Sequence, residues 1–418
     1  MKKVCVLGAA VFALALFSGC GADVEEDAAP LRVCVDSYQL SKMKSLAEAW
    51  QVIEGGTEVE FIQLPTDGDE AELTLSSLRT ELMAGKGPDL FLLTCRLPET
   101  VGSYSGLFTN MEKTLESDLF LPLDEYLENA KYVNVEDWNQ TILSAGKTEA
   151  GQVVLPLYYR LPAYAFKSSD LPAQEVPDTW EALMASENPV LKRALREKLF
   201  LYFTYSFDTL ADVQTGKLAF TREELIASLD EYSSFEAEAN ALSEQSGFGE
   251  PVAGGWLDSE FLTGGIGSAV DEELTYVSIP NRAGGITAMV NLFAAINRNS
   301  ALPDEAFSFL DFILSDEIAS SVGFTVNEKR YGSGGIPTPD SEGIFVNQKI
   351  FMEANCRNDK AREAFETLTG RIDSVRFYGE LDRDLYDLAF YYGGTPDPSE
   401  REHMVTASYE DMEMKLAE

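Results

Sequence analysis

Histidine is nearly absent from this chain: its 418 residues contain one, His403. A single imidazole near the C-terminus leaves little basis for His-centred catalysis or a His-rich metal centre. Basic residues are also scarce, 32 Lys+Arg against 70 Asp+Glu, giving a formal net charge of −38. Phosphate backbones and anionic lipid surfaces are bound by clustered Lys and Arg, so this balance argues against both as partners. None of the five cysteines stands in a CxxC pair, so no zinc or redox motif is visible. After the first twenty residues no apolar run approaches the length needed to cross a bilayer. There is no internal repeat and no low-complexity tract. What is present is ordinary globular composition, 45% hydrophobic and 24% charged. The length suggests two or three domains at about 150 residues each.

The N-terminus reads Lys2-Lys3, an apolar run from Val4 to Phe17, then Ser18-Gly19-Cys20. A basic start, a short apolar segment and small residues form a secretory signal over residues 1–19. Phe17-Ser18-Gly19-Cys20 resembles a bacterial lipobox, with Phe17 where Leu is usual. That resemblance implies lipidation of Cys20, with an ordinary cleaved signal as the alternative. Two acyl chains anchor a protein stably at about 0.8 kcal/mol per buried CH₂. Residues 20–30 then form a lipidated Cys and a solvated tether. The remaining cysteines are Cys34, Cys95 and Cys356. The first two lie in or beside apolar, strand-like runs and read as buried thiols rather than a disulfide.

From residue 31 strand and helix alternate. Leu31–Val35, Val59–Leu64 and Asp89–Thr94 read as strands. Between them, Met43, Leu46, Trp50 and Ile53, then Ala71, Leu75, Leu78 and Leu82, fall at helical spacing. This order predicts an α/β fold with a parallel sheet and helices on both faces. Ligands of such sheets lie beyond the carboxyl ends of the strands, which points to Asp36–Tyr38 and Thr94–Arg96. Gln152–Leu157 and Ala163–Phe166 look like a crossing between lobes, and a long helical region is expected from residue 180 to about 246. Ile286–Ile296 suits a buried strand, and Pro303 opens a helix with Ala306, Phe309, Leu310, Ile313 and Leu314 on one face.

Several segments resemble, in order, those of bacterial extracellular solute-binding proteins, family 1, the maltose-binding-like receptors of ABC importers. Leu78 through Leu90, with Ala84-Gly85-Lys86-Gly87-Pro88-Asp89-Leu90, is similar to the family's "AGxGPDL" signature. Leu155-Pro156-Leu157-Tyr158 through Trp180 is similar to its hinge and "TWEEL" helix. Ile279-Pro280 to Ile286 and Ala294–Ser300 resemble its return strand. Glu305 to Ser315, Gly335-Ile336-Pro337 and the closing helix from Tyr409 to Glu418 follow. The resemblance implies a two-lobed periplasmic-binding-protein-like fold, each lobe a mostly parallel sheet flanked by helices, with a hinge between lobes. It maps the N-terminal lobe to 31–160 plus 279–325 and the C-terminal lobe to 161–278 plus 326–418. Residues 190–250 and 341–400 carry no motif.

A sugar site needs aromatic plates and planar hydrogen-bonding groups. Asp36, Ser37 and Tyr38 end the first strand; the alternative for Asp36 is capping the next helix. Arg96, after the third strand, offers a fork of donors, or a surface ion pair. Tyr158, Tyr159 and Arg160 lie where the crossing strand passes the cleft floor, although alternation assigns at least one Tyr to the core. Trp256, beside Gly254-Gly255, reads as an exposed ring on a flexible support. Tyr331, before a glycine-rich run, is a further candidate. Gly284-Gly285 suggests a tight turn near the hinge. Gly146-Lys147-Thr148 lacks the upstream glycine of a phosphate loop, and Asp67–Glu70 lacks the oxygen spacing of a calcium loop.

The expected function is an extracytoplasmic solute-binding lipoprotein of an ABC importer. It would capture a mono- or oligosaccharide by hinge closure and deliver it to the permease, as a monomer without cofactor or metal. It would sit on the outer face of the cytoplasmic membrane, held by lipid at Cys20, and perform no chemistry. A non-sugar solute such as a polyamine is the alternative within the class. A secreted glycoside hydrolase, using two of the 70 carboxylates, is the alternative outside it.

Overall fold

The computed structural model describes residues 29–65, 69–95, 106–243, 249–269, 271–320, 324–326, 328–331 and 343–417. Ten strands carry the architecture. They are β1 (Leu31–Asp36), β2 (Val59–Leu64), β3 (Leu90–Thr94), β4 (Leu155–Arg160), β5 (Pro162–Lys167), β6 (Ala253–Trp256), β7 (Leu274–Val277), β8 (Ile286–Ile296), β9 (Ile344–Phe345) and β10 (Ile372–Phe377). Seven of them form one sheet in the order β9-β4-β8-β3-β1-β2, with β10 paired to β8.

The first three strands pair in parallel as their alternation with helices predicts, β1 lying between β2 and β3. Every residue of β3 and all eleven of β8 are buried. Strands covered by helices on both faces read as unbroken apolar runs, which is why DLFLLT and ITAMVNLFAAI lack alternation. Helix α1 (Leu40–Glu54) buries Met43, Leu46 and Trp50 and ends at Gly55, whose φ of 73° turns its N–H back to the Gln51 carbonyl. Across from it, α5 (Pro303–Ile313) places Phe309 5.2 Å from the Trp50 ring. The other principal helices are α2 (Asp69–Met83), α3 (Met111–Glu116), α4 (Arg222–Ser243), α6 (Asp359–Thr369), α7 (Glu380–Gly394) and α8 (Pro398–Ala417).

A second sheet, β6-β5-β7, has three strands, all antiparallel. A mostly parallel sheet was expected here. The difference arises because β5 is entered directly from β4 with no crossover helix, and both its neighbours arrive from the opposite direction. Only Leu161 separates β4 of the large sheet from β5 of the small one. The chain crosses back between β7 and β8. There Asn281 is fully buried, accepting the Gly285 N–H and donating to Asp373 Oδ1 at 2.8 Å. Gly284 has a φ of 97°, and a Cβ at Gly285 would collide with the Asp373 carboxylate, so this pair permits a tight turn no larger residue could make.

The long helical region expected up to about residue 246 consists of several helices interrupted by a hairpin. Short helices at Trp180–Met184, Pro189–Leu195 and Leu199–Tyr202 precede a small hairpin, Ala211–Asp212 with Lys217–Leu218, and then α4. Thr179 caps the first of these, its hydroxyl accepting the Ala182 N–H at 3.1 Å. Trp138 is buried and follows a single helical turn. Cys34, Cys95 and Cys356 are free and buried. Among the described residues no helix is long and apolar enough to span a membrane, and no cluster of His, Cys, Asp or Glu is placed to hold a metal.

Candidate functional site

Asp36 ends β1 with its carboxylate buried. Its Oδ2 accepts both the Thr94 N–H and the Thr94 hydroxyl, each at 2.8 Å. The side chain therefore ties the ends of β1 and β3 together, where helix capping was the alternative expected. Helix α1 starts instead behind Gln39, without a side-chain cap.

Beyond these strand ends lies a small cavity of about 50 Å³. Asp36, Thr94 and Cys95 line one side, Phe108 and Phe293 its apolar wall, and Tyr378, Gly379, Glu380 and Arg383 the other side. The last group belongs to the turn from β10 into the first turn of α7. Burial pushes the Cys95 thiol well above its ordinary range, so it is an inert wall group. Tyr378 is 7% exposed, and its hydroxyl is buried with no hydrogen-bond partner among the described residues. A buried hydroxyl left unmatched costs stability unless something arrives to pair with it.

A larger cavity of about 350 Å³ adjoins the first through Thr109, Gly379 and Glu380. Its acids are Glu112, Asp208, Asp373, Glu380 and Asp382, with Arg376 among them. Arg376 and Asp382 are both buried. Arg376 Nη1 donates to Asp382 Oδ1 at 2.8 Å and Nη2 to the Thr204 carbonyl at 2.9 Å. The Thr204 hydroxyl donates to the same Asp382 oxygen at 2.6 Å, and the Gly379 N–H reaches Asp382 Oδ2 at 3.0 Å. This network pins the start of α7. Across from it, burial pushes the Glu112 carboxyl above the usual range; the Asp382 charge adds to the shift and Arg376 opposes it.

The other expected residues fall elsewhere. Ser37 is half-buried and Tyr38 is 36% exposed; neither lines the two cavities. Tyr159 is the tyrosine claimed by the core, fully buried, with its phenol pushed up by burial. Tyr158 is half-buried against Phe345 at 5.2 Å, and burial raises its phenol to about 12. Arg160 is 1% exposed, its guanidinium 5.1 Å from the Trp256 ring centre.

Trp256 is a correction: it is buried rather than an exposed plate. Tyr202 meets it edge-on at 5.2 Å and Tyr205 lies 5.7 Å away. Its neighbouring glycines sit in strand β6, and a Cβ on Gly254 would strike the Tyr164 ring. Close packing of rings, rather than flexibility, is what those glycines serve. The remaining edge of Trp256 borders a hollow of about 320 Å³ with Lys198, Asp258 and Glu260. Tyr331 closes a two-stranded hairpin with Phe324. Arg96 and Cys20 lie outside the described residues.

Tyr378, Glu380, Arg383 and Arg376 were missed because residues 341–400 carry no motif, and Glu112 because the stretch between Arg96 and Gly146 offered none either. One signal was available: Ile372–Phe377 followed by Tyr378-Gly379-Glu380 is a strand running into a helix. The rule that points beyond strand ends applied there as it did to Asp36.

Two cavities that share Thr109, Gly379 and Glu380 thus meet at the carboxyl ends of β1, β3 and β10. A sequence profile of bacterial extracellular solute-binding proteins matches residues 37–320, more than half the chain. The protein belongs to this family. Solved structures share its fold along nearly their whole length. A family 1 extracellular solute-binding protein from Alicyclobacillus acidocaldarius aligns with a TM-score of 0.55 at 13% identity, covering 93% of this chain and 99% of that one. The sugar-binding protein MalE of Xanthomonas citri gives 0.55 at 13% identity, covering 93% and 98%. A periplasmic solute-binding protein of Pectobacterium atrosepticum gives 0.52 at 17%, covering 93% and 99%. No curated protein matches the sequence. This solute-binding protein is thus two-lobed and α/β, and its family and fold are those of non-enzymatic receptors.

Proposed function

We propose that this solute-binding protein captures a carbohydrate between its lobes and delivers it to the permease of an ABC importer, performing no chemistry itself. On this reading the lobes are 31–160 plus 279–325 and 161–278 plus 326–418, the second also contributing β9 and β10 to the large sheet, and closure turns on Leu161 and the Ser278–Gly285 crossing. Export follows from the N-terminal signal, and lipid on Cys20 holds the monomer at the outer face of the cytoplasmic membrane. The observation that carries the reading is the junction cavity. Strand ends of the large sheet supply Asp36 and Thr94, and the β10–α7 turn supplies Tyr378, Glu380 and Arg383. A ligand stabilises a closed state only by touching both sides. Carboxylates, a guanidinium and an unmatched phenol hydroxyl beside Phe108 suit a molecule with hydroxyl edges and apolar C–H faces. Likeness to a sugar-binding protein agrees.

One observation favours a second reading. The larger cavity holds five carboxylates against Arg376, which suits a cationic solute such as a polyamine. A thermal-shift screen of residues 21–418 against mono- and oligosaccharides and against polyamines separates them. Bound ligand raises the melting temperature through RT ln(1 + [L]/Kd). A shift with a sugar supports the proposal; a shift with polyamines alone replaces the substrate. Turnover of a glycoside overturns the receptor class.

A further inference from the structure

The larger cavity is short of positive charge. Glu112, Asp208, Asp373, Glu380 and Asp382 line it with a single cation, Arg376. That cation is already taken, because its Nη1 donates to Asp382 Oδ1 at 2.8 Å and both side chains are buried. Among the described residues, no Lys or Arg forms a salt bridge with Glu112, Asp208, Asp373 or Glu380. Asp373 is met by a neutral amide, Asn281 Nδ2 at 2.8 Å. Burial holds the Glu112 carboxyl above its usual range, as expected of an acid that has lost water without gaining a cation of its own.

Positive charge alone does not answer the rest of the wall. Arg376 is 6% exposed, and its Nε–H is buried with no acceptor among the described residues. Tyr378, on the adjoining cavity, holds its hydroxyl in the same condition. The two cavities share Thr109, Gly379 and Glu380, so one molecule can reach both walls. An ammonium group only donates and cannot pair with the Arg376 Nε–H, whereas a hydroxyl or ring oxygen can. A linear polyamine therefore answers the acids and leaves Arg376 unmatched. A neutral sugar does the reverse. A ring that carries an ammonium beside its hydroxyls answers both.

We propose that the solute is an amino sugar, alone or as a unit of an oligosaccharide. Its ammonium lies among Glu112, Asp208 and Glu380, and its oxygens face Arg376 and Tyr378. This rests on the carbohydrate reading and adds a positive charge to the sugar. The chain's net charge of −38 favours the approach of such a cation and disfavours acidic sugars.

The test is calorimetric titration of the soluble chain, residues 21–418, at about pH 6, where amines carry their charge. The probes are glucosamine and galactosamine, their N-acetyl forms, glucose and galactose, the corresponding disaccharides of the gluco series, and putrescine. The amine should bind about tenfold tighter than the acetamide or hydroxyl form of the same sugar, which is about 1.4 kcal/mol. Added salt should shrink that preference. Glu380→Gln and Asp208→Asn each remove one negative charge with little change of shape. Each should cut the ratio of amine to neutral affinity by about threefold while keeping the wild-type melting temperature. The ratio is the readout, since a general loss of binding lowers both affinities alike. Equal or tighter binding of the neutral or acetylated sugar overturns the amino-sugar inference and leaves the carbohydrate reading intact. A preference for the amine that neither variant alters puts the ammonium elsewhere and overturns the site. Binding of putrescine without any sugar overturns both readings. No binding by any probe overturns the amino sugar, and the thermal-shift screen then decides the carbohydrate reading by itself.

Discussion

The hollow beside Trp256 and the pair of cavities at the strand ends differ in how many parts of the chain build them. The hollow beside Trp256 is lined by Lys198 and by residues of a single stretch, 253–265. The junction cavities draw on β1, β3, the loop into α3, β8, β10 and α7. On the proposed lobe division the second arrangement draws on both lobes, so a molecule bound there would shift a hinge equilibrium. The tryptophan that looked like the ligand's plate is enclosed by Tyr202, Tyr205 and Arg160. Tyr378, one of several residues with a buried polar atom that has no hydrogen-bond partner among the described residues, lines the cavity at the strand ends.

Substitutions can break this contrast from either side. The largest effect is expected for Arg376→Met, which leaves Asp382 buried beside Thr204 without its cation. Breaking such a pair costs about 3–5 kcal/mol, read as a shifted urea midpoint with an unchanged slope. Weaker ligand binding should accompany it, since the start of α7 loses its anchor. Trp256→Ala should cost about 3 kcal/mol in the ligand-free protein, because the ring is packed on several sides. A loss under about 1 kcal/mol would mean the ring stands free after all.

Asp36→Asn keeps the shape but weakens two charge-assisted hydrogen bonds from Thr94, an expected loss of about 1–2 kcal/mol. Glu112→Gln should have the smallest effect, and its sign depends on pH. Burial holds the Glu112 carboxyl above its unfolded value, so the native state keeps a proton that the unfolded chain releases. Stability from this group is present at low pH and lost as pH rises through the native pKa. The Gln variant should therefore be the more stable one at pH 7. Its advantage should disappear in urea titrations run at progressively lower pH.

The large sheet was legible in the sequence because helix-covered strands are written as long apolar runs, as in Ile286–Ile296, and because Gly85–Pro88 punctuates helix and strand sharply. The small sheet was less so. Whether Pro162–Lys167 pairs in parallel or antiparallel depends on the direction of its neighbours, which Ala253–Trp256 and Leu274–Val277 do not encode locally. At the site, Asp36 was legible from a positional rule. Its partnership with Thr94 was not, because that contact joins residues 58 apart. Arg376 lies on, and Tyr378 just after, a strand that joins the large sheet only through the distant β8, so nothing near them in sequence marks them. Glycines beside Trp256 misled in the opposite sense: small residues admit close-packed rings as readily as they loosen a backbone.

The central claim is that ligand is held at the junction between lobes, and the Tyr378 hydroxyl tests it with the removal of one atom. Titration calorimetry of Tyr378→Phe with the solute found in the thermal-shift screen is the direct measurement. Because the hydroxyl has no partner among the described residues, its loss should leave the ligand-free melting temperature unchanged or slightly higher. Affinity should fall about tenfold, as one hydrogen bond worth about 1.4 kcal/mol disappears. Wild-type affinity in the variant would place the ligand elsewhere and contradict the account.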